Sequence, residues 1–200
     1  VYIRGQREDY DHWAELGNTE WSYEKLLPIF KRCEGYVGQS GDDYHGRDGQ
    51  LWVDDVQNRY DMAELYVKAA QEAGIPFNPD FNGERQEGVG FYQVNIRRGR
   101  RQSTAKTYLR NAAKRANLHI QTHAIATQIL FEGHRSCGLR YLQNGKEVTV
   151  RCRGEIILCG GTINSPQLLE LSGIGNAEML SQKGIKPLKN LPGVGENMQD

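Results

Sequence analysis

Most of the side chains able to do chemistry in this sequence argue for scaffold. His45 lies in GQSGDDYHGRDGQLWV among acidic residues, where a base or a metal ligand would be at home. The density of Gly and Asp there reads instead as a solvated surface loop, so His45 is left outside the site. His119 and His123 alternate with apolar neighbours and read as sheet-surface or core residues. Cysteines 33, 137, 152 and 159 form no CxxC pair and no metal spacing, so they are read as reduced or buried thiols, and zinc is not implied. Arg97, Arg98, Arg100 and Arg101 make one basic patch. It could meet phosphate, an acidic substrate or nothing, and a solvated turn is the simpler reading. What is left is backbone chemistry. In EIILCGGTINSPQLLELSGIG, residues 155–175, Cys159-Gly160-Gly161 strips away side-chain bulk between an apolar run and a helix. Bare amides and a helix N-terminus are suited to an anionic cofactor. Tight strand-to-helix packing would need the same glycines.

The elements that must position this turn are readable on both sides. Ile156, Ile157 and Leu158 predict a short buried strand, Asn164 or Ser165 a cap, Pro166 a first helical turn, and Leu168, Leu169 and Leu171 an apolar face ended by Gly173. Upstream, a β-like triplet turns at Gly5 into a helix whose Tyr10, Trp13 and Leu16 share a face. A second helix follows Ser22, with Leu26, Leu27, Ile29 and Phe30 apolar and Pro28 tolerated or kinking. A strand is expected at Leu51–Val53. From Tyr60 to Ala73, residues Met62, Leu65, Tyr66, Ala69, Ala70 and Ala73 repeat at helical spacing and predict a sheet-covering face, stopped by Gly74 and Pro76. Turn chemistry in NPDFNGE precedes a half-exposed strand through Phe91, Gln93, Asn95 and Arg97.

Ser103 predicts a cap for a helix with Ala105, Tyr108, Leu109 and Ala112 inward and Lys114 and Arg115 in its last turn. The period then changes to alternation. Asn144-Gly145 predicts a type I′ hairpin between Leu139–Gln143 and Lys146–Cys152. A short helix is expected around Ala177–Gln182, with a turn at Gly184. Gly173-x-Gly175 and Gly193-x-Gly195 lack the third small residue and the strand-to-helix setting of a dinucleotide fingerprint.

Composition narrows the class without naming a partner. The 200 residues carry 25 Lys plus Arg against 25 Asp plus Glu, which removes a generally basic nucleic-acid binder and an acidic tail. With 38% hydrophobic residues the chain is globular rather than disordered. No apolar run approaches a membrane span.

The wider strings carry a resemblance. GTINSPQLLELSGIG, residues 161–175, resembles the second signature of the glucose-methanol-choline (GMC) oxidoreductases. Tyr2, Gly5 and Asp11 stand at the spacing of the tail of the first signature. WSY with LLPIFKR, DFNG then EGVG, THAIATQI and GVGENMQD are similar to further family strings, closest in wording to choline and FAD-dependent alcohol dehydrogenases.

That resemblance implies a mixed α/β fold: part of an FAD-binding, Rossmann-like domain interleaved with part of a substrate domain. It implies that 1–14 end a flavin-contacting segment, 15–95 are substrate-side, 96–175 belong to the FAD-binding domain and 176–200 return towards the substrate domain. FAD is the implied cofactor. Val1 would make the last backbone contact of the chain beneath the flavin, Ala126 would hold the adenine edge through its backbone, and Gly160 and Gly161 would lie against the dinucleotide. The DFNG–EGVG segment would line the approach of a small-molecule alcohol, choline-like or aliphatic. Oxygen or a quinone would take the electrons, and no nucleic acid or integral membrane segment is implied. No catalytic residue is assigned, because the family's C-terminal His pair falls outside these residues. The sequence is accordingly read as an internal fragment that would neither hold FAD tightly nor oxidise alcohols by itself. A cytoplasmic or peripherally membrane-associated location is expected. A hydroxynitrile lyase on the same scaffold and an inactive homologue are the alternatives.

Overall fold

The first charged stretch forms helix α1 (Arg7–Glu15), where the Gln6 amide donates to the Asp9 carboxylate at 3.0 Å and Tyr10 packs on Tyr23 and Phe30. Trp13 and Leu16 stay largely exposed. The computed structural model describes residues 1–198, and the chain divides into two units, Val1–His119 and Ile120–Asp200. The last two residues of GVGENMQD lie outside the described residues.

In the first unit, helix α2 (Tyr23–Cys33) begins after Ser22, carries Pro28 inside it and buries Tyr23 and Leu26. It runs straight into β1 (Glu34–Tyr36), which pairs in parallel with β2 (Leu51–Val53). Helix α3 (Asp61–Glu72) stands where the period placed it, with a different face inward. Val67 is buried and Ala63 and Ala70 are half-buried, while Met62, Leu65 and Tyr66 are 75%, 58% and 71% exposed. Both stripes have helical spacing, and periodicity fixes the element rather than the stripe that packs.

The strand expected through Phe91–Arg97 is mostly irregular. Only the bridges Gln93 to Tyr2 and Val94 to Asp54 form before β3 (Ile96–Arg97) turns into β4 (Arg100–Arg101). That turn has Arg98 and Gly99 at φ 51° and 69°, the two left-handed positions of a type I′ connection. Next, a π-helical turn (Ala105–Leu109) leads into α4 (Arg110–Ala112). Its wider turn rotates the expected face, so Thr107 is buried whereas Ala105 and Leu109 are exposed, and Lys114 and Arg115 fall beyond the helix. Tyr108 still points inward and donates its hydroxyl to the Cys33 carbonyl at 3.0 Å.

The second unit is built on an antiparallel meander of β5 (Ala124–Glu132), β6 (Arg135–Gln143) and β7 (Lys146–Arg151). Asn144 and Gly145 have φ of 51° and 73°, the expected type I′ hairpin. His119 and His123 lie exposed ahead of the sheet, not in it. Helix α5 (Gly161–Leu171) follows, then β8 (Ile174–Gly175), α6 (Ala177–Gln182) and β9 (Lys189–Asn190), with β8 and β9 parallel. Ser172 ties α5 to the sheet: its hydroxyl accepts the Ile129 amide at 2.8 Å and donates to the Leu168 carbonyl. Gly173 is held by backbone, since a Cβ there would crowd the Lys186 carbonyl oxygen at 2.7 Å, in keeping with a packing role.

Candidate cofactor pocket and a buried charge cluster

The glycine turn of the second unit differs in two ways from its sequence reading. Ile156–Leu158 is not a strand, because none of the described strands offers it a ladder and backbone pairing is what makes a strand. Helix α5 also starts earlier than the caps suggested. Gly161, at φ 82°, is its first residue, and Pro166 sits inside it. Ser165 serves the turn from within the helix, its hydroxyl accepting the Gly160 amide at 3.0 Å.

Around this turn lies a pocket of about 450 Å³ walled by Ala124–Ala126, Ile156–Gly160 and the α5 residues Asn164 and Leu168. Its lining is mainly apolar. Two features supply polarity without side chains. The first turn of α5 leaves amides without helical acceptors. The second feature is the edge of the sheet. Among the described strands β5 pairs with β6 alone, so alternate backbone groups along β5 point away from the sheet. Ile129 is in the outward phase, because its amide reaches Ser172. Ile129 faces Leu139 and Ala126 faces Tyr141, with the register shift at Thr127 between them. Positions 139 and 141 share a phase on β6, so Ala126 also directs its N–H and C=O outward.

The glycines narrow the same turn. A Cβ on Gly160 would press on the Asn164 Cβ and Ser165 amide at 3.2 Å, while one on Gly161 would meet nothing within 4 Å but is disfavoured by φ. Ala126 and Gly160 therefore meet in one pocket, and Gly161 opens the helix beside Gly160. Val1 is held in the first unit, 79% exposed and just ahead of the Tyr2–Gln93 bridge. A flat heteroaromatic ring needing an apolar slot and one backbone donor–acceptor pair fits these walls, and an anionic group fits the open helix start.

The first unit holds the residue that sequence reasoning set aside. His45 is 1% exposed. Its Nδ1 lies 3.1 and 3.2 Å from the Glu34 carboxylate oxygens, its Nε2 lies 2.8 Å from Asp80, and its ring stacks on Tyr36 with centroids 4.1 Å apart. Arg4 closes the cluster with a 2.8 Å bond to Glu34. Burial would push the imidazole down, but the hydrogen bonds and charges of Asp80 and Glu34 outweigh it and raise His45 to about 9. For Asp80, burial alone would raise the carboxyl, whereas His45, Gln93 and the Asn82 amide together hold it at about 2.

The segment is a surface loop, exposed at Gln39, Asp42, Asp43, Arg47 and Asp48, but two of its glycines are contact points that pin His45 inward. A Cβ on Gly46 would overlap the Lys31 carbonyl, and one on Gly49 the Cys33 carbonyl. The available signal was glycine itself, which marks close backbone approach as readily as it marks a turn. All four cysteines are free, and no group of metal-ligating side chains occurs among the described residues.

A family model for the GMC oxidoreductases matches residues 1–200. The alcohol dehydrogenase (acceptor) of Pseudomonas putida is 43% identical over 202 residues, spanning all of this chain and 37% of the relative. Human mitochondrial choline dehydrogenase is 42% identical over 201 residues, again across the whole chain and 34% of the relative. The chain thus spans about a third of the length of these relatives. Among solved structures, an FAD-dependent oxidoreductase from Chaetomium thermophilum superposes with a TM-score of 0.88 at 30% identity, covering 100% of this chain and 37% of that one. Pyridoxine 4-oxidase from Mesorbium loti gives 0.86 at 30% identity over 96% of this chain and 38% of that one.

Proposed function

We propose, from the premise that this chain belongs to the GMC oxidoreductase family, that it is the part of an FAD-dependent alcohol-oxidising enzyme that seats the dinucleotide end of the cofactor. The observation that carries this reading is the pocket in which the outward backbone of Ala126 and the bare turn at Gly160 meet. FAD, when bound, supplies the acceptor for a hydride leaving the alcohol carbon. Ala126 would hold the adenine edge with its N–H and C=O, needing nothing from its side chain. Gly160 and Gly161 would let the chain lie against the dinucleotide, and the first amides of α5 would face its negative charge. Val1 would make the last backbone contact beneath the flavin from the first unit.

Residues 15–95 form the substrate-side segment in this reading, 96–175 the FAD-binding segment, and 176–200 the return. The names of the relatives give an alcohol and choline, and the first substrate in this reading is a primary alcohol, choline-like or aliphatic. Oxygen and a quinone are both acceptors to assay. A cytoplasmic or peripherally membrane-associated location accompanies this reading; no helix among the described residues is long and apolar enough to cross a membrane. The test is anaerobic mixing of the full-length protein with choline or a primary alcohol. Bleaching of the flavin band is the expected result. A flavin that stays oxidised with every alcohol, while a cyanohydrin is cleaved, would replace the redox reading with a lyase.

A further inference from the structure

Two cations and two carboxylates are sealed together in the first unit, and their geometry fixes the protonation of the one that can change. Both ring nitrogens of His45 face carboxylates at hydrogen-bond distance. A neutral imidazole has one N–H, so it would turn a lone pair towards a carboxylate on the other side. The imidazolium satisfies both, and it balances Arg4 and His45 against Glu34 and Asp80. Arg4 also donates to the Tyr44 carbonyl at 2.7 Å and touches the Tyr2 hydroxyl at 3.3 Å.

The cluster grips one short piece of chain. Asp80 accepts from the Asn82 amide at 3.0 Å and from Gln93 Nε2 at 2.8 Å. Asn82 in turn takes the Arg4 amide at 2.7 Å, gives to the Tyr2 carbonyl at 3.1 Å and to Gln93 Oε1 at 2.8 Å. The Arg4 carbonyl accepts from Gln86, and the Tyr2 amide donates to the Gln93 carbonyl. Of the N–H and C=O groups of Tyr2 and Arg4, the Tyr2 carbonyl and the Arg4 amide are both bonded by Asn82, whose own amide Asp80 accepts, while Glu34 holds the Arg4 guanidinium; His45 joins those two carboxylates.

We propose that His45 is a positioning residue: as an imidazolium bridging Glu34 and Asp80, it fixes residues 2–4 through Arg4 and Asn82, and so sets the segment next to the flavin. The second half of this statement rests on the functional reading above, which puts the chain just ahead of Tyr2 beneath the ring. The dinucleotide residues of that reading lie in the second unit, so loss of the clamp separates reactivity from cofactor retention. The groups that face the imidazole are Glu34 from β1, Asp80 from the turn after Pro79, and the Tyr36 ring, with Arg4 and Tyr2 behind Glu34.

The experiment compares the full-length enzyme with its His45→Gln variant by two independent readouts. Amide exchange of residues 2–4 is expected to speed up at least tenfold in the variant, and in the wild type once pH rises through about 9, beyond the intrinsic base effect. Anaerobic flavin reduction by the best alcohol is expected to slow at least tenfold with flavin content and KM unchanged, and the variant's rate profile should lack the alkaline step. Unchanged exchange in either arm overturns the clamp. Faster exchange with an unchanged reduction rate and pH profile overturns the link to the flavin. If the variant does not fold, the wild-type exchange profile decides alone. A wild type with no flavin, or none reducible by alcohol, defeats the functional reading and leaves the exchange test of the clamp intact.

Discussion

Two glycine-rich stretches of similar composition do opposite things in this molecule. In the first unit, Gly35, Gly46 and Gly49 exist because backbone presses on backbone, and the polar groups they bring together satisfy one another around His45. In the second, Gly161 has open space around it and Gly160 touches only its own helix's first turn, and the sheet edge at Ala126 and the start of α5 keep unspent backbone groups beside an apolar slot. A satisfied, sealed polar cluster is scaffold. An open apolar pocket with free backbone donors is a place for a ligand.

The sharpest way to break the first side of this contrast is Glu34→Ala, which strands Arg4 as a buried cation and leaves His45 with Asp80 alone. A loss of about 3–5 kcal/mol is expected in denaturant titrations of the full-length protein. Gly46→Ala comes next, at about 3 kcal/mol, because the clash is with the Lys31 backbone and no side chain can swing aside. The matched substitution Gly161→Ala should cost only roughly 1–2 kcal/mol, from its left-handed φ alone. Equal destabilisation by the two alanines would erase the distinction between packed and open glycines.

Alkaline pH probes the same cluster without mutation. His45 titrates near 9 in the folded chain against 6.5 for a free imidazole, so its stabilisation is complete below pH 6.5 and disappears as pH rises through about 9. A loss of roughly 2–3 kcal/mol between pH 7 and 10 is expected, and it should be absent in His45→Gln. The acid limb runs the other way: the Asp80 contribution is present above its ordinary 3.8 and fades as pH falls through about 2. Ser172→Ala should match Gly161→Ala, at about 1–2 kcal/mol, because the buried Ile129 amide loses its acceptor.

Elements with a local cause were legible in the sequence. The type I′ hairpin needed only Asn144-Gly145, α6 needed Asn176 and its following turn, and β2 needed Leu51–Val53 after a glycine loop. What depended on distant partners was not. The apolar run Ile156–Leu158 carries a strand's composition without a described neighbour, the packed stripe of α3 was the Val67 side and not the Met62 side, and one π-helical turn rotated the face after Ser103. His45 was missed for the same reason, since Asp80 reaches it only through the fold. Spacing alone left the glycine turn open between cofactor and packing. The resemblance is what put Ala126 beside it, and the phase of β5 then gave that backbone a direction.

The most direct test of the cofactor reading is the flavin affinity of full-length Ala126→Pro set against Ala126→Val. The outward N–H of this edge strand is not spent on the ladder with β6, so proline removes a ligand contact while the sheet survives. The account predicts that the valine variant keeps its FAD, whereas the proline variant, with an unchanged far-ultraviolet circular dichroism spectrum, binds FAD at least about tenfold more weakly, the worth of one hydrogen bond. Equal FAD affinity in a folded proline variant would contradict it.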